Sequence, residues 1–212
     1  MPGPSGLGAR SPLKYYYVYP GGTPPLAVYS SSLGPAVILS DRDIAWYVEK
    51  GLLRIEPLMG DTIRENGVDL RLAEEFCRFN PEAPELDTAR GFDEKTYYIC
   101  TRVDPDEGYV IKPYEHVLAT TAETVCLPDD LVGLVNVRST YARLGLFVPP
   151  TVIDAGFCGQ VTIEIIGSAY PIRVYPGQRF LHVVFIKTTS PVANPYRGKY
   201  QGQRGVTPPR PD

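Results

Sequence analysis

The sequence has no excess of positive charge, no apolar run approaching the roughly 18 residues of a membrane span, and only two histidines among its 212 residues. With 21 basic against 24 acidic residues its net charge is −3. A nucleic-acid coat or a polybasic membrane binder would be basic, so neither a nucleic-acid polymer nor a membrane is an expected partner. A polyanion bound here should be small and held by a few local cations. Cysteine is scarce too. Cys77, Cys100, Cys126 and Cys158 lie far apart with no CxxC pair, and read as small buried hydrophobes rather than disulfides or a metal site. The opening MPGPSGLGAR holds no apolar stretch of signal-peptide length, so the expected compartment is the cytoplasm.

What is present is ordinary for one globular domain with extensions: 43% hydrophobic and 21% charged residues. Residues 1–35 form a Tyr/Pro/Gly-rich N-terminal arm with YYYVYP, GGTPP and SSSLG. It reads as an extended arm, or as one that docks on a neighbouring subunit through its tyrosines. Residues 36–190 carry the domain. Ser40 precedes DRDIAWYVEKGLL, in which Ile44, Tyr47, Val48 and Leu52 recur at helical spacing. Ser40 with Asp43 makes a capping box shortened by one methylene, and Gly51 marks the stop. This is the one helix expected. Beyond it lie VDLRL, KTYYICTRV, YVIKP, HVLATTAETVCL, LVGLVNV, LFVPPTVI, QVTIEII, IRVYP and RFLHVVFIKT, rich in β-branched and aromatic residues and separated by turn formers. The fold class is mainly β, a barrel or sandwich. Residues 191–212 are polar and lack apolar periodicity. They read as a disordered tail, or as a flexible arm that closes over an anion through Arg197, Lys199 and Arg204.

The segment richest in chemistry is VRSTYARLGLFVPPTVIDAGFCGQVTIE, Val137 to Glu164. Arg138, Ser139 and Thr140 offer a guanidinium and two hydroxyls suited to phosphate oxygens, although RST alone is more often a solvated turn. Arg143 returns to the same place if the segment coils into a helical turn. Asp154 ends an apolar strand with Gly156 and Gly159 beyond it, where a carboxylate commonly caps a turn. In VTIEII, alternation sets Val161, Ile163 and Ile165 on one face and Thr162, Glu164 and Ile166 on the other. A glutamate so placed is solvent-facing, salt-bridged, or partly buried and ready for proton transfer.

The run RSTYARLGLFVPPTVIDAGFCGQVTIEI resembles the core signature of dCTP deaminases and the related bifunctional dCTP deaminase/dUTPases. ILSDRDIAWYVEKGLLRIEPL, NGVDLRL, LPDDLVGLVNVRST and NPYRGKYQGQRGVTP resemble further pieces of the family in order, so the likeness spans residues 36 to 208. It implies a distorted β-barrel of the trimeric dUTPase-like fold with one short N-terminal helix. It also implies a homotrimer with interfacial active sites, and deamination of dCTP to dUTP and ammonia without zinc. His116 and His182 are not followed by x-Glu and there is no PCxxC, so the zinc-deaminase motif is missing as well. By resemblance, Glu164 is the catalytic glutamate, and Ser139 and Arg143 hold the water and polarise the ring. Arg138 and Thr140 contact phosphate, and Asp154 recognises the 3′-hydroxyl. Tyr196, Lys199 and Gln203 belong to the arm over the triphosphate, and Mg²⁺ rides on the phosphates with no protein metal site.

This chain departs from the family pattern in FVPPTVI, which is shorter than usual; there Pro149 and Pro150 remove two N–H donors from a segment that lines the base pocket. Thr140 stands where a second serine is usual and Tyr141 where a smaller aliphatic is. Alternatives to deamination alone are a bifunctional enzyme giving dUMP and pyrophosphate, a dUTPase, or a nucleotide-sensing protein without chemistry. Glu164 and Arg143 favour deamination. Of the other conspicuous residues, Trp46 reads as an anchor in the core or at a subunit interface. His182 reads as a satisfied strand histidine, Tyr97 and Tyr98 as strand packing, and Asp129-Asp130 as a turn.

Overall fold

Ser40 opens helix α1 (Asp41–Glu49) by accepting a hydrogen bond from the Asp43 backbone N–H, while the Asp43 carboxylate accepts one from the Ser40 backbone N–H in return. The shortened capping box therefore forms. Gly51, at φ +68, turns the chain just past the helix, where a side chain would be strained. In this computed structural model, residues 37–210 are described; the N-terminal arm expected over residues 1–35 lies outside them. Among the described residues no helix is long and apolar enough to cross a membrane. The apolar face of α1 buries Ile44 and Tyr47. Trp46 is 41% exposed on the single chain, which leaves the subunit-interface half of its reading rather than the core half, and neighbouring Tyr47 anchors α1 to the core, its hydroxyl donating to Asp130 at 2.9 Å.

The remaining segments are strands: β1 (Arg54–Glu56), β2 (Ile63–Arg64), β3 (Gly67–Phe79), β4 (Tyr98–Arg102), β5 (Tyr109–Ile111), β6 (His116–Cys126), β7 (Leu131–Val137), β8 (Thr151–Ile153), β9 (Cys158–Ile166), β10 (Ile172–Val174) and β11 (Arg179–Lys187). Nine join in one antiparallel sheet of order β1-β6-β3-β11-β7-β8, with β2 and β4 also on β3 and β9 also on β6. β5 and β10 form a separate pair. Register shifts in β3 between Leu72 and Phe76, and in β6 between Thr120 and Thr124, bend the two central strands and curl the sheet. The mainly β, barrel-like architecture is the expected one. Two single-turn helices, α2 (Glu94–Tyr97) and α3 (Ser139–Arg143), add to the one helix expected. Phe76, Phe180 and Phe185 fill the core with Leu70, Ile165 and Leu181.

The cysteines are the clearest correction. Cys77 is bonded to Cys100 and Cys126 to Cys158. Each pair is set directly opposite across an antiparallel ladder, Cys77 of β3 against Cys100 of β4 and Cys126 of β6 against Cys158 of β9. Linear spacing conceals this, because the pairing is made by strand register. Each bridge closes a loop, with separations of 23 and 32 residues, and so restricts the unfolded chain. Full reduction is expected to lower stability by about 2–4 kcal/mol per bridge. Denaturation with and without reductant checks it, and identical midpoints would contradict it.

Candidate active site

Glu164 lies two residues from the end of β9, a strand whose buried and half-exposed residues alternate throughout. Val161, Ile163 and Ile165 point into the core, so Thr162 and Glu164 share the opposite, half-exposed face, as alternation requires. That face forms one wall of a cavity of about 480 Å³. Pro149 and Pro150 form another wall, and Asp154 and the aromatic rings of Phe157, Tyr196 and Tyr200 also border it. The two prolines thus stand in the cavity lining, where they present ring carbons and carbonyls but no N–H.

Asp154 follows β8 directly. Its carbonyl accepts from the Phe157 N–H at 3.1 Å, which closes a four-residue turn. The third residue of that turn, Gly156, has φ +86, as a type II turn demands. A Cβ there would come within 2.5 Å of Pro195, so glycine also permits the C-terminal arm to approach. The Asp154 carboxylate is exposed and has no ion-pair partner among the described residues.

The arm lies along β9. Gly202 N–H donates to the Cys158 carbonyl at 2.8 Å, Gln160 N–H to the Gln203 carbonyl at 3.0 Å, and Thr207 N–H to Thr162 Oγ1 at 3.1 Å. Gln203 lines the cavity, with its amide donating to the Gln160 carbonyl at 2.6 Å. Tyr196 packs on Phe157 and accepts at its hydroxyl from the Tyr200 N–H. Lys199 does not line the cavity; its ammonium donates to the Arg210 carbonyl at 2.5 Å.

Ser139, Thr140 and Arg143 stand elsewhere. They are exposed on α3 and do not line the cavity. Ser139 and Arg143, four residues apart, share one helical face. Tyr141 holds this turn to the barrel through its ring on Phe180, 4.5 Å between centroids, and its hydroxyl donating to Gln178 Oε1. The unusual tyrosine therefore serves as the anchor of α3. Arg138, the residue preceding α3, is committed inward: Nε pairs with Asp69 at 3.0 Å and Nη1 donates to the Arg179 carbonyl at 2.9 Å. Asp69 also pairs with His182 at 2.9 Å, which makes His182 the satisfied strand histidine expected.

One chain therefore brings together Glu164, Asp154, Tyr196 and Gln203, and leaves Ser139, Thr140 and Arg143 apart. Sequence reasoning missed Tyr200 and Thr207 in the cavity wall, and read Tyr98 as packing alone. Tyr98 does pack on Phe79, but it also senses the site: burial, and then the negative charge of Glu164, push its phenol above the usual range. It passed unnoticed because strand tyrosines usually pack. Among the described residues no group of three or more His, Cys, Asp or Glu side chains converges to hold a metal ion.

A family model described as dCTP deaminase-like matches residues 38–188. The chain is 81% identical over 176 residues to the dCTP deaminase of Hyperthermus butylicus, covering 83% of this chain and 100% of that one. It is 62% identical over 177 residues to the dCTP deaminase of Desulfurococcus amylolyticus, covering 83% and 96%. Among solved structures, the 2'-deoxycytidine 5'-triphosphate deaminase of Agrobacterium tumefaciens is similar with a TM-score of 0.58 at 23% identity. That match covers 71% of this chain and 48% of the other, so this chain spans about half the length of that protein, and the likeness concerns the fold. On sequence identity and on the span of the family match, the chain belongs to the dCTP deaminase-like family.

Proposed function

We propose that the protein hydrolyses dCTP to dUTP and ammonia. The observation that carries the reading is Glu164: a half-buried carboxylate in the wall of a cavity of nucleotide-binding size, in a chain of this family. In the proposed reaction Glu164 takes a proton from water and the hydroxide adds to C4 of the cytosine ring. Glu164 returns the proton to the exocyclic nitrogen, the C4–N bond breaks, and ammonia leaves. Asp154 accepts a hydrogen bond from the sugar 3′-hydroxyl. Tyr196, Lys199 and Gln203 hold the arm that covers the triphosphate.

The proposed assembly is a homotrimer whose active sites lie between subunits. Its support is the separation within one chain: Ser139, Thr140 and Arg143 are exposed on α3 and are not among the residues that line the cavity with Glu164 and Asp154. A neighbouring subunit's α3 would complete the site, with Ser139 and Arg143 holding the water and polarising the base and Thr140 on the phosphate side; Arg138, just before α3, would join it there only by giving up contacts to Asp69 and the Arg179 carbonyl. Exposed Leu144 and Phe147, next to α3, are apolar surface such a contact would cover. Mg²⁺ bound to the triphosphate would neutralise part of its charge, with no protein residue assigned to hold it. The scattered carboxylates fit that role better than a protein cage. The proposed compartment is the cytoplasm.

Incubation of the purified protein with dCTP and Mg²⁺, with chromatographic separation of products, tests the reaction. Accumulating dUTP is the expected result. dUMP with pyrophosphate would make the enzyme bifunctional, and intact dCTP with cleavage of added dUTP would make it a dUTPase.

A further inference from the structure

Glu164 has a side-chain partner that the reaction above does not use. His116 begins β6, where it faces Ile166 of β9, and Leu118 faces Glu164. His116 and Glu164 are thus diagonal neighbours on one face of the sheet. His116 Nδ1 lies 3.0 Å from Glu164 Oε1. An ionised carboxylate can only accept, so Nδ1 carries the proton and donates. The imidazole is itself held: its ring meets Phe79 edge-on, 6.0 Å between centroids, and Phe79 packs in turn on Tyr98.

The setting separates a functional role from a structural one. The His116 and Glu164 side chains are 49% and 37% exposed, and ion pairs so open to water add little to stability. Their geometry still matters. A glutamate on a strand has several accessible rotamers, and a general base works only when its oxygen meets the proton it abstracts. A donor on Oε1 selects one rotamer and leaves Oε2 for water. Tyr98 of β4 feels the charge of Glu164, and with it those of Glu94 of α2 and Tyr200 of the arm.

We propose that His116 is a positioning residue for Glu164, fixing the carboxylate through Oε1 so that Oε2 addresses the attacking water. The proposal rests on the reading of Glu164 as the general base. His116→Phe removes the hydrogen bond and keeps a flat ring against Phe79, and His116→Ala removes the bond without filling the space. Both are expected to lower kcat for dCTP deamination about tenfold, the size of a lost hydrogen bond to a charged group, with KM for dCTP and the melting temperature unchanged. His116→Asn, whose amide N–H stands near the position of Nδ1, is expected to recover most of kcat. Parent-like kcat in both the Phe and Ala variants, loss of kcat together with melting temperature, or no recovery in His116→Asn would each overturn the proposal. Glu164→Gln is assayed beside them. If it still deaminates dCTP, the general-base reading falls and His116 with it. If it is inactive while His116→Phe and His116→Ala are not impaired, only the role of His116 falls.

Discussion

Glu164→Gln is expected to yield a folded protein whose release of ammonia from dCTP falls by about a hundredfold or more, the range for loss of a general acid–base group. The amide has nearly the shape of the carboxylate and can still accept a hydrogen bond at one position, but it cannot take a proton from water. Its neighbours suggest that folding is spared. Glu164 is half-exposed, its partner His116 is exposed, and the flanking Ile163 and Ile165 hold the strand in the core. Coupled measurement of ammonia release and circular dichroism checks both parts. dCTP binding by the variant separates lost chemistry from a lost site. Ammonia release at the parent rate would remove Glu164 from the mechanism.

Arg71→Met is expected to destabilise the fold by about 3–5 kcal/mol, the cost of leaving a buried charge without its partner. The charge is that of Glu123, whose side chain is fully buried in β6. Its two oxygens are both met by Arg71: Oε1 accepts from the guanidinium at 3.0 Å and Oε2 from the backbone N–H at 2.8 Å. The same guanidinium reaches Thr62 and Asp61, so one arginine ties the β1–β2 connection to two central strands. Methionine keeps the backbone bond and the bulk but removes the cation. For a chain of this size the melting temperature should fall by roughly 10 °C. Pairing the change with Glu123→Leu should restore most of the loss, since the unpaired charge is then gone. An unaltered melting temperature in Arg71→Met would show that Glu123 is compensated by other means.

Strand content and the helix capped by Ser40 were legible because local chemistry dictates them. Ser40 and Asp43 satisfy one another within a single turn, and the β-branched runs have few other ways to pack. The alternation in VTIEII was sufficient to place Glu164 on the half-exposed face, and Asp154 followed from a strand running into a glycine turn. The short β1 and β2 and the single-turn α2 were not legible. Such brief segments carry no period, and tertiary contacts decide them.

The errors share one cause, which is that a sequence lists neighbours along the chain and not across a sheet. Cys77 and Cys100 are 23 residues apart, yet directly opposed by the register of β3 and β4. His116 and Glu164 are 48 residues apart in the chain and 3.0 Å apart in space. Trp46 and Tyr47 have the same local credentials as anchors, and only the docking of α1 sends Tyr47 inward to Asp130 and leaves Trp46 with the interface half of its reading. The sequence by itself determined the mainly β class and the carboxylates at strand ends, since these depend on residue type and short-range periodicity, and it determined the family through the likeness of its motifs to those of known members. Tertiary structure alone decided which cysteines bond, which histidine meets Glu164, and that α3 stands apart from the cavity of its own chain, because strand register and sheet curl bring distant residues together or hold them apart.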